Sequence, residues 1–447
     1  MKGKFSLLYA AITCALALLL SGCFVRSAEE LYALPLQSEA YYDLQSNIST
    51  LITDEQYSSP VSGSNQQPVQ MADLDGDGMD EALVFANTGD AHPLKIFIFD
   101  RNEGKYENTC VIERDGTSFE RVEYAQLDGV GGLEIVVGTQ MGNQILQTIS
   151  AFSLTNGEPL ELLNASYSEF TIGDMDLNGN DDLFLLRFDA ETRVGYGELY
   201  RCVDGSMERE PEVSMSAGVG SVRHILYGNL AEGQPAVFVG GMLDDGSTIT
   251  DIFTFRKTLF SSISSSADLR FVSVPVRGYS VFATDIDGDG FVEIPNVVKL
   301  PGAVVTETSE DAYYIIRWYN YDPSSGTTLK ENTFHQYASG WFLRLPEKMG
   351  RKFIVTRNEE IVGSRALTFS LNDGNDAAGD PIFSLYAFSG ANRNVLATAD
   401  GRFLIGAKGE TSFAAKLGTG AEKISLTQEE LTAMFNFIRI DWDSGET

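Results

Sequence analysis

The chain has 447 residues, with 32 lysines and arginines against 63 aspartates and glutamates, a formal net charge of −31 at pH 7. So acidic a surface repels nucleic acid and anionic lipid headgroups, and no nucleic-acid partner is expected. A hydrophobic content of 43% is enough for a packed core, which excludes a disordered acidic chain.

The first stretch, MKGKFSLLYAAITCALALLLSGC, has a basic start at Lys2 and Lys4, an apolar run and a small-residue ending. It reads as a secretory signal over residues 1–22. Its apolar run is short for a spanning helix, which needs about 20 residues. The ending Leu20-Ser21-Gly22-Cys23 resembles the bacterial lipobox, in which the cysteine is lipidated. That implies a protein secreted and lipid-anchored at Cys23 to the outer face of the cell membrane. An ordinary cleaved signal or an uncleaved anchor is the alternative. Residues 23–60 then form a tether and a short helix: Tyr41, Leu44, Ile48 and Leu51 recur at helical spacing over 38–52. The stretch SSPVSGSNQQP at 58–68 is a linker or the lead-in to a first strand-rich unit.

A nine-residue pattern then recurs at intervals of about 50 residues. DLDGDGMDE (73–81) runs into ALVFAN, QLDGVGGLE (126–134) into IVVGT, and DMDLNGNDD (174–182) into LFLLRF. GNLAEGQPA (228–236) runs into VFVGG, and DIDGDGFVE (285–293) into IPNVVKL. Between copies lie about four short strands with Asn-Gly and other Gly turn signals and no helical periodicity. A four-stranded unit at this period predicts a mainly β fold, a β-propeller of about five to seven blades over residues 61–337. A sandwich or a solenoid of hairpins is the alternative.

Acids, with one asparagine among them, fill alternate positions in three of the copies. They are Asp73, Asp75, Asp77 and Glu81; Asp174, Asp176, Asn178 and Asp182; and Asp285, Asp287, Asp289 and Glu293. All are hard oxygen donors with no Cys or His among them. That favours Ca²⁺, which takes six to eight oxygens, over zinc or copper. Met79, Asn180 and Phe291 at the seventh position would add backbone carbonyls. About three Ca²⁺ sites are expected. An EF-hand is excluded, because position 12 is Val84, Leu185 or Asn296 rather than Glu, and a strand follows instead of a helix. An acidic hairpin without metal is the simpler alternative. The copies at 126 and 228 lack the ligands, and no metal is expected there.

The loop and its following strand resemble the FG-GAP and VCBS-type repeats of integrin α propellers, over about residues 65–335. The resemblance implies Ca²⁺ in hairpin loops on one face of a propeller. The lipobox with such repeats is similar to lipoproteins of Gram-positive bacteria. Beyond 337 the repeat stops. Strands WFLRLP, KFIVTRN, ALTFSL, IFSLYAF and RFLIGAK, with a helix near 427–437 capped by Thr427 and Glu430, predict a small α+β domain over 338–447. A divergent last blade is the alternative.

No nucleophile elbow, phosphate loop or zinc signature occurs. His92, His224 and His335 lie in turn or strand contexts. Carboxylates paired by folding would leave no local motif, and Trp318 and Trp341 with nearby tyrosines are candidates for stacking on sugars or for core. Cys110 and Cys202 are expected as free thiols, with pairing possible. The expected function is non-enzymatic: a surface-anchored binding or scaffolding protein with a protein or glycan ligand. The alternative is a hydrolase or lyase acting on extracellular polysaccharide through a central pocket.

Overall fold

A computed structural model describes residues 39–439, apart from 103, 143–146, 156, 264–271, 274–279, 302–312, 350–352, 359–360 and 362–363. The signal segment, Cys23 and most of the tether lie outside the described residues. The expected helix is present as α1 (Glu39–Leu51). Its Leu44 and Ile48, one turn apart, are buried with Ile52 against Val84, Phe97 and Phe99. No described helix is long and apolar enough to cross a membrane.

The protein is mainly β, with six antiparallel sheets in chain order. The first holds β1 (Val69–Ala72), β2 (Glu81–Asn87), β3 (Leu94–Asn102) and β4 (Lys105–Arg114). The second holds β5 (Ser118–Ala125), β6 (Glu134–Gln140), β7 (Gln147–Thr155) and β8 (Glu158–Tyr167). The third holds β9 (Glu169–Gly173), β10 (Asp182–Asp189), β11 (Val194–Val203) and β12 (Ser206–Arg209), with β13 (Val213–Ser214) also on β11. The fourth holds β14 (Val219–Asn229), β15 (Pro235–Leu243), β16 (Thr248–Arg256) and β17 (Leu259–Ser262), with β18 (Val272–Ser273) also on β16.

The fifth sheet runs β19 (Ile294–Lys299), β20 (Tyr314–Asp322), β21 (Gly326–Gln336), β22 (Trp341–Leu345), and then β28 (Phe435–Phe437) from far along the chain. The sixth holds β23 (Phe353–Asn358), β24 (Arg365–Asn372), β25 (Ala378–Ser389), β26 (Phe403–Lys408) and β27 (Thr411–Leu417), in the order β23-β24-β25-β27-β26. Helices α2 (Arg393–Thr398), α3 (Gly420–Lys423) and α4 (Gln428–Met434) interrupt or follow it. The Thr427 hydroxyl accepts from Glu430 N, and the Glu430 carboxylate accepts from Thr427 N, as the capping box requires.

The second strand of each of the first four sheets is buried on both faces. That is why the sequence after each acidic loop reads as an unbroken apolar run and not as an alternation. Hydrophobic clusters join successive sheets. Phe85 of β2 meets Phe119 of β5 edge to face at 5.1 Å, inside a cluster holding Ile135 and Val137. Phe184 of β10 packs on Phe253 of β16, and Phe334 of β21 on Phe369 of β24. Each fully buried phenylalanine contributes roughly 2–3 kcal/mol of transfer free energy.

The expected boundary at 337/338 falls between β21 and β22, which are hydrogen-bonded neighbours. Trp341 therefore belongs to the fifth sheet, where it pairs with Gln336 on one side and Phe437 on the other. Cys110 on β4 and Cys202 on β11 are unbonded and half-buried.

Candidate metal loops and a cleft between the last two sheets

Four of the repeat loops link two strands of one sheet, and the 285–293 loop is closed by an isolated bridge just before β19. The closing pairs are Ala72 with Glu81, Ala125 with Glu134, Gly173 with Asp182 and Thr284 with Glu293. In the fourth copy the ladder runs on past Gly228 with Ala236 to Asn229 with Pro235. Only residues 230–234 span that turn, three fewer than in the other copies.

The three acid-rich loops share one hydrogen-bond pattern. The first-position Asp accepts from the sixth-position glycine: Gly78 N to Asp73 Oδ2 at 3.0 Å, Gly179 N to Asp174 Oδ2 at 2.9 Å, and Gly290 N to Asp285 Oδ2 at 2.9 Å. Asp75, Asp176 and Asp287 each accept from the backbone two residues on. So do Asp77, Asn178 and Asp289, from Met79 N, Asn180 N and Phe291 N. These local bonds are the Asx turns that such residues favour. They wind the loop so that alternate side chains converge.

The convergence is measurable. Carboxylate oxygens of Asp73, Asp75 and Glu81 lie within 4.8 Å of one another, as do those of Asp174, Asp176 and Asp182, and of Asp285, Asp287 and Asp289. Asp77 and Glu293 stand outside these groups of three. Met79 is exposed on the loop.

The ninth-position acid is the unusual member. Glu81, Asp182 and Glu293 are 2%, 1% and 0% exposed. One oxygen of each accepts the second-position N–H: Leu74 N at 2.7 Å, Met175 N at 2.8 Å and Ile286 N at 3.0 Å. The other oxygen, Oε1 of Glu81, Oδ1 of Asp182 and Oε1 of Glu293, is buried with no partner. An unpartnered buried carboxylate oxygen costs several kcal/mol if charged. Burial, then neighbouring acids, pushes all three carboxyls up to about 7, against the backbone bond that opposes it. Such an oxygen fits a hard cation. The donor set, all oxygen and mostly anionic, fits Ca²⁺ better than a transition metal.

The 126–134 loop folds alike with only two acids, Asp128 and Glu134. Glu134, 1% exposed, accepts from Leu127 N at 2.5 Å. Gln126 replaces the first Asp: its Oε1 accepts from Gly129 N at 3.1 Å while its Nε2 donates to Gly132 O at 3.0 Å. The Ser153 hydroxyl donates to Asp128 at 3.2 Å. A neutral amide thus supplies both the acceptor and the donor that close this loop.

The loops also interlock in chain order. Leu133 N donates to Asp73 O at 2.9 Å, Asp181 N to Gln126 O at 2.7 Å and Val292 N to Asn229 O at 2.8 Å. The Tyr227 hydroxyl donates to Asp174 O at 3.0 Å, and Arg344 to Ile286 O at 2.9 Å. The approach is close: a Cβ on Gly132 would fall 2.3 Å from the Leu74 carbonyl carbon. No local sequence signal marks these contacts.

Sequence reading also missed two basic partners from distant strands. Lys330 on β21 bonds Asp289 and lies 3.0 Å from Asp287. Arg201 on β11 is 2.7 Å from Asp176 and also bonds Glu210. The 73–81 loop has no ion pair among the described residues.

A separate cleft of about 350 Å³ opens between the fifth and sixth sheets. Trp341, Phe413 and Phe435 line it, with Arg357, Arg365 and Gln336. Among the described residues no Asp, Glu or His lines it. His335 is buried beside Trp318 and Phe342, and burial lowers its pKa to about 3. His92 is an exposed partner of Asp115, and His224 stacks on Phe282. Trp318 is core, donating to Thr333 Oγ1 at 2.8 Å.

No family model matches this chain, and no curated protein matches it. Among solved structures it is similar to a Bacillus licheniformis rhamnogalacturonan lyase (PL11), at 13% identity and TM-score 0.29, over 55% of this chain and 58% of that one. It is also similar to the exotype rhamnogalacturonan lyase YesX, at 14% identity and TM-score 0.29, over 70% and 60%. A protein from Lactobacillus plantarum matches at 9% identity and TM-score 0.27, over 71% and 84%. The chain thus spans under two thirds of either lyase, and likeness at these TM-scores assigns no function.

Proposed function

We propose that this protein is a lipid-anchored extracellular binding protein whose β-propeller, of FG-GAP/VCBS type, is braced by three Ca²⁺ ions. The observation that carries the calcium reading is the orphaned, buried carboxylate oxygen of Glu81, Asp182 and Glu293, repeated in three loops of one hydrogen-bond pattern. The propeller reading draws support from successive antiparallel sheets packed face to face and from five corner loops linked in a row. In each loop the side-chain oxygens at the first, third, fifth and ninth positions, an amide oxygen in the case of Asn178, hold the ion, with the carbonyls of Met79, Asn180 and Phe291 completing the set. The ion's role is structural: it neutralises charge that the fold buries. The anchor at Cys23, and with it the outer face of the membrane, rests on the lipobox-like sequence.

Thermal unfolding of the full chain in detergent tests the brace. Calcium at a hundred times its dissociation constant adds about 2.7 kcal/mol per site, so chelation should lower the melting temperature by many degrees. An unchanged melting temperature contradicts the reading.

A second reading, an enzyme acting on extracellular polysaccharide, is favoured by the cleft, whose aromatic floor and two arginines suit a sugar. The absence of a carboxylate or histidine from its described lining supports binding over hydrolysis by an acid pair. Release of reducing ends from an acidic polysaccharide would decide for the enzyme.

A further inference from the structure

We infer that the 174–182 loop is the weakest of the three calcium sites, and that Arg201 is a built-in cation that holds its Asp176 until calcium displaces it. The inference rests on the calcium reading and adds a grading to it: two sites brace the fold, and the third fills and empties with external calcium. The first ground is the donor set. The 73–81 and 285–293 loops each offer four carboxylates, with Asp77 and Asp289 at the fifth position. The 174–182 loop offers three, because Asn178 stands there instead. Asn178 Oδ1 accepts from Asn180 N at 2.7 Å, as Asp77 Oδ1 does from Met79 N. The amide therefore replaces the acid without changing the turn. Calcium affinity is tuned over several decades by the number of ligand charges.

The second ground is Arg201. Its Nη1 lies 2.7 Å from Asp176 Oδ2, and the two side chains are 17% and 11% exposed. Asp176 is one of the three residues whose oxygens converge in this loop, so the guanidinium holds charge that calcium would use. It is fixed from two other sides as well. Its Nε and Nη2 donate to Glu210 Oε1, and its central carbon lies 4.2 Å from the centre of the Phe255 ring on β16. A planar guanidinium bonded and stacked in this way gives ground less freely than an ammonium on a flexible stem. Lys330 beside the 285–293 loop is such an ammonium, and it is more open, at 33% exposure.

Arg201 and calcium therefore compete for Asp176. Without calcium, the guanidinium neutralises part of the charge the loop gathers. With calcium, two cations repel across one small loop, and Arg201 is left to Glu210 alone. The loop still draws the ion in, because Asp182 Oδ1 is buried there without a partner. Arg201 also bridges β11 to β16 of the next sheet through Phe255, so its release registers where the third and fourth sheets meet. Extracellular calcium modules have dissociation constants of roughly 10⁻⁴–10⁻³ M. A site weakened by one lost charge and one resident cation belongs in that range.

Isothermal titration of the full chain in detergent with calcium chloride tests this, with metal analysis to count the bound ions. Two tight ions and one at least about tenfold weaker are expected. D174N/D176N should remove the weak class, and D73A/D75A one of the tight ions. Arg201→Gln removes the charge, and Asn178→Asp adds a ligand charge while leaving Arg201 in place. Each should tighten the weak class about tenfold and leave the tight class unmoved, whereas Arg201→Lys should leave the weak class weak. Three equal sites, loss of a tight ion in D174N/D176N, or a weak class unmoved in Asn178→Asp or in a folded Arg201→Gln overturns the inference and leaves the brace standing. Binding of no calcium at all overturns both.

Discussion

Loops 73–81 and 126–134 lie side by side, close the same kind of strand pair and bury the same ninth-position acid, yet only the first is crowded with charge. In the second, Gln126 does with one amide what Asp73 cannot: it accepts from the loop backbone and also donates to it. The comparison separates two roles. The loop shape comes from Asx turns and a buried acid on the second-position N–H, and needs no ion. The converging carboxylates are an addition, and they require a counter-charge. The order along the row matters as well. Acid-rich loops at 73, 174 and 285 alternate with the charge-poor loops at 126 and 229, and neighbours touch through Gly76 against Gly131 and Gly129 against Asn180. Alternation keeps two charge clusters from abutting.

The comparison can be broken at the contact between the loops. Gly132→Ala would drive a Cβ into the Leu74 backbone and should cost about 2–3 kcal/mol, as overpacking does. Denaturant unfolding should show that loss with and without calcium alike. Converting the neutral loop sharpens the contrast: Q126D/V130D restores acids at the first and fifth positions. In chelator it should unfold earlier than the parent, and calcium should reverse the defect while adding one bound ion, read by differential scanning calorimetry and metal analysis.

pH separates the loops from the rest of the molecule. Glu81 and Glu293 stand near 7 against an ordinary 4.5, and Asp182 near 7 against 3.8. The folded state thus holds protons that the unfolded chain releases. The stability from these groups is full below the unfolded values and is lost as pH rises through about 7. Without calcium the melting temperature should fall between about pH 4.5 and 7; calcium should lessen the fall without abolishing it, because burial raises Glu134 of the metal-free loop to about 7 as well. The smallest effect belongs to Lys330, which sits on Asp287 and Asp289. An exposed pair of this kind is worth about 0–1 kcal/mol, so Lys330→Ala should tighten calcium at the 285–293 loop a few-fold. Isothermal titration should find the 73–81 loop unchanged.

Much of this was legible locally. Nine-residue acid patterns followed by apolar runs located the loops and the central strands, because ligand spacing and burial are both written within ten residues. The Tyr41–Leu51 spacing and the Thr427–Glu430 pair located helices for the same reason. What sequence reading lost is non-local. Nothing near 330 or 201 marks a lysine or arginine destined for a loop some 25 to 43 residues away. The shortening of the loop after Asn229 shows only in the strand register, where Asn229 pairs with Pro235. β28 joins the fifth sheet from about 90 residues beyond β22. The cleft arises where those late strands meet, so no motif announced it.

Equilibrium dialysis of the full chain against calcium, with metal analysis of the retained protein, tests the brace most directly. Three ions per chain are expected, falling to two in D73A/D75A and staying at three in Gln126→Ala. Retention of no calcium, or an undiminished count in D73A/D75A, would contradict it.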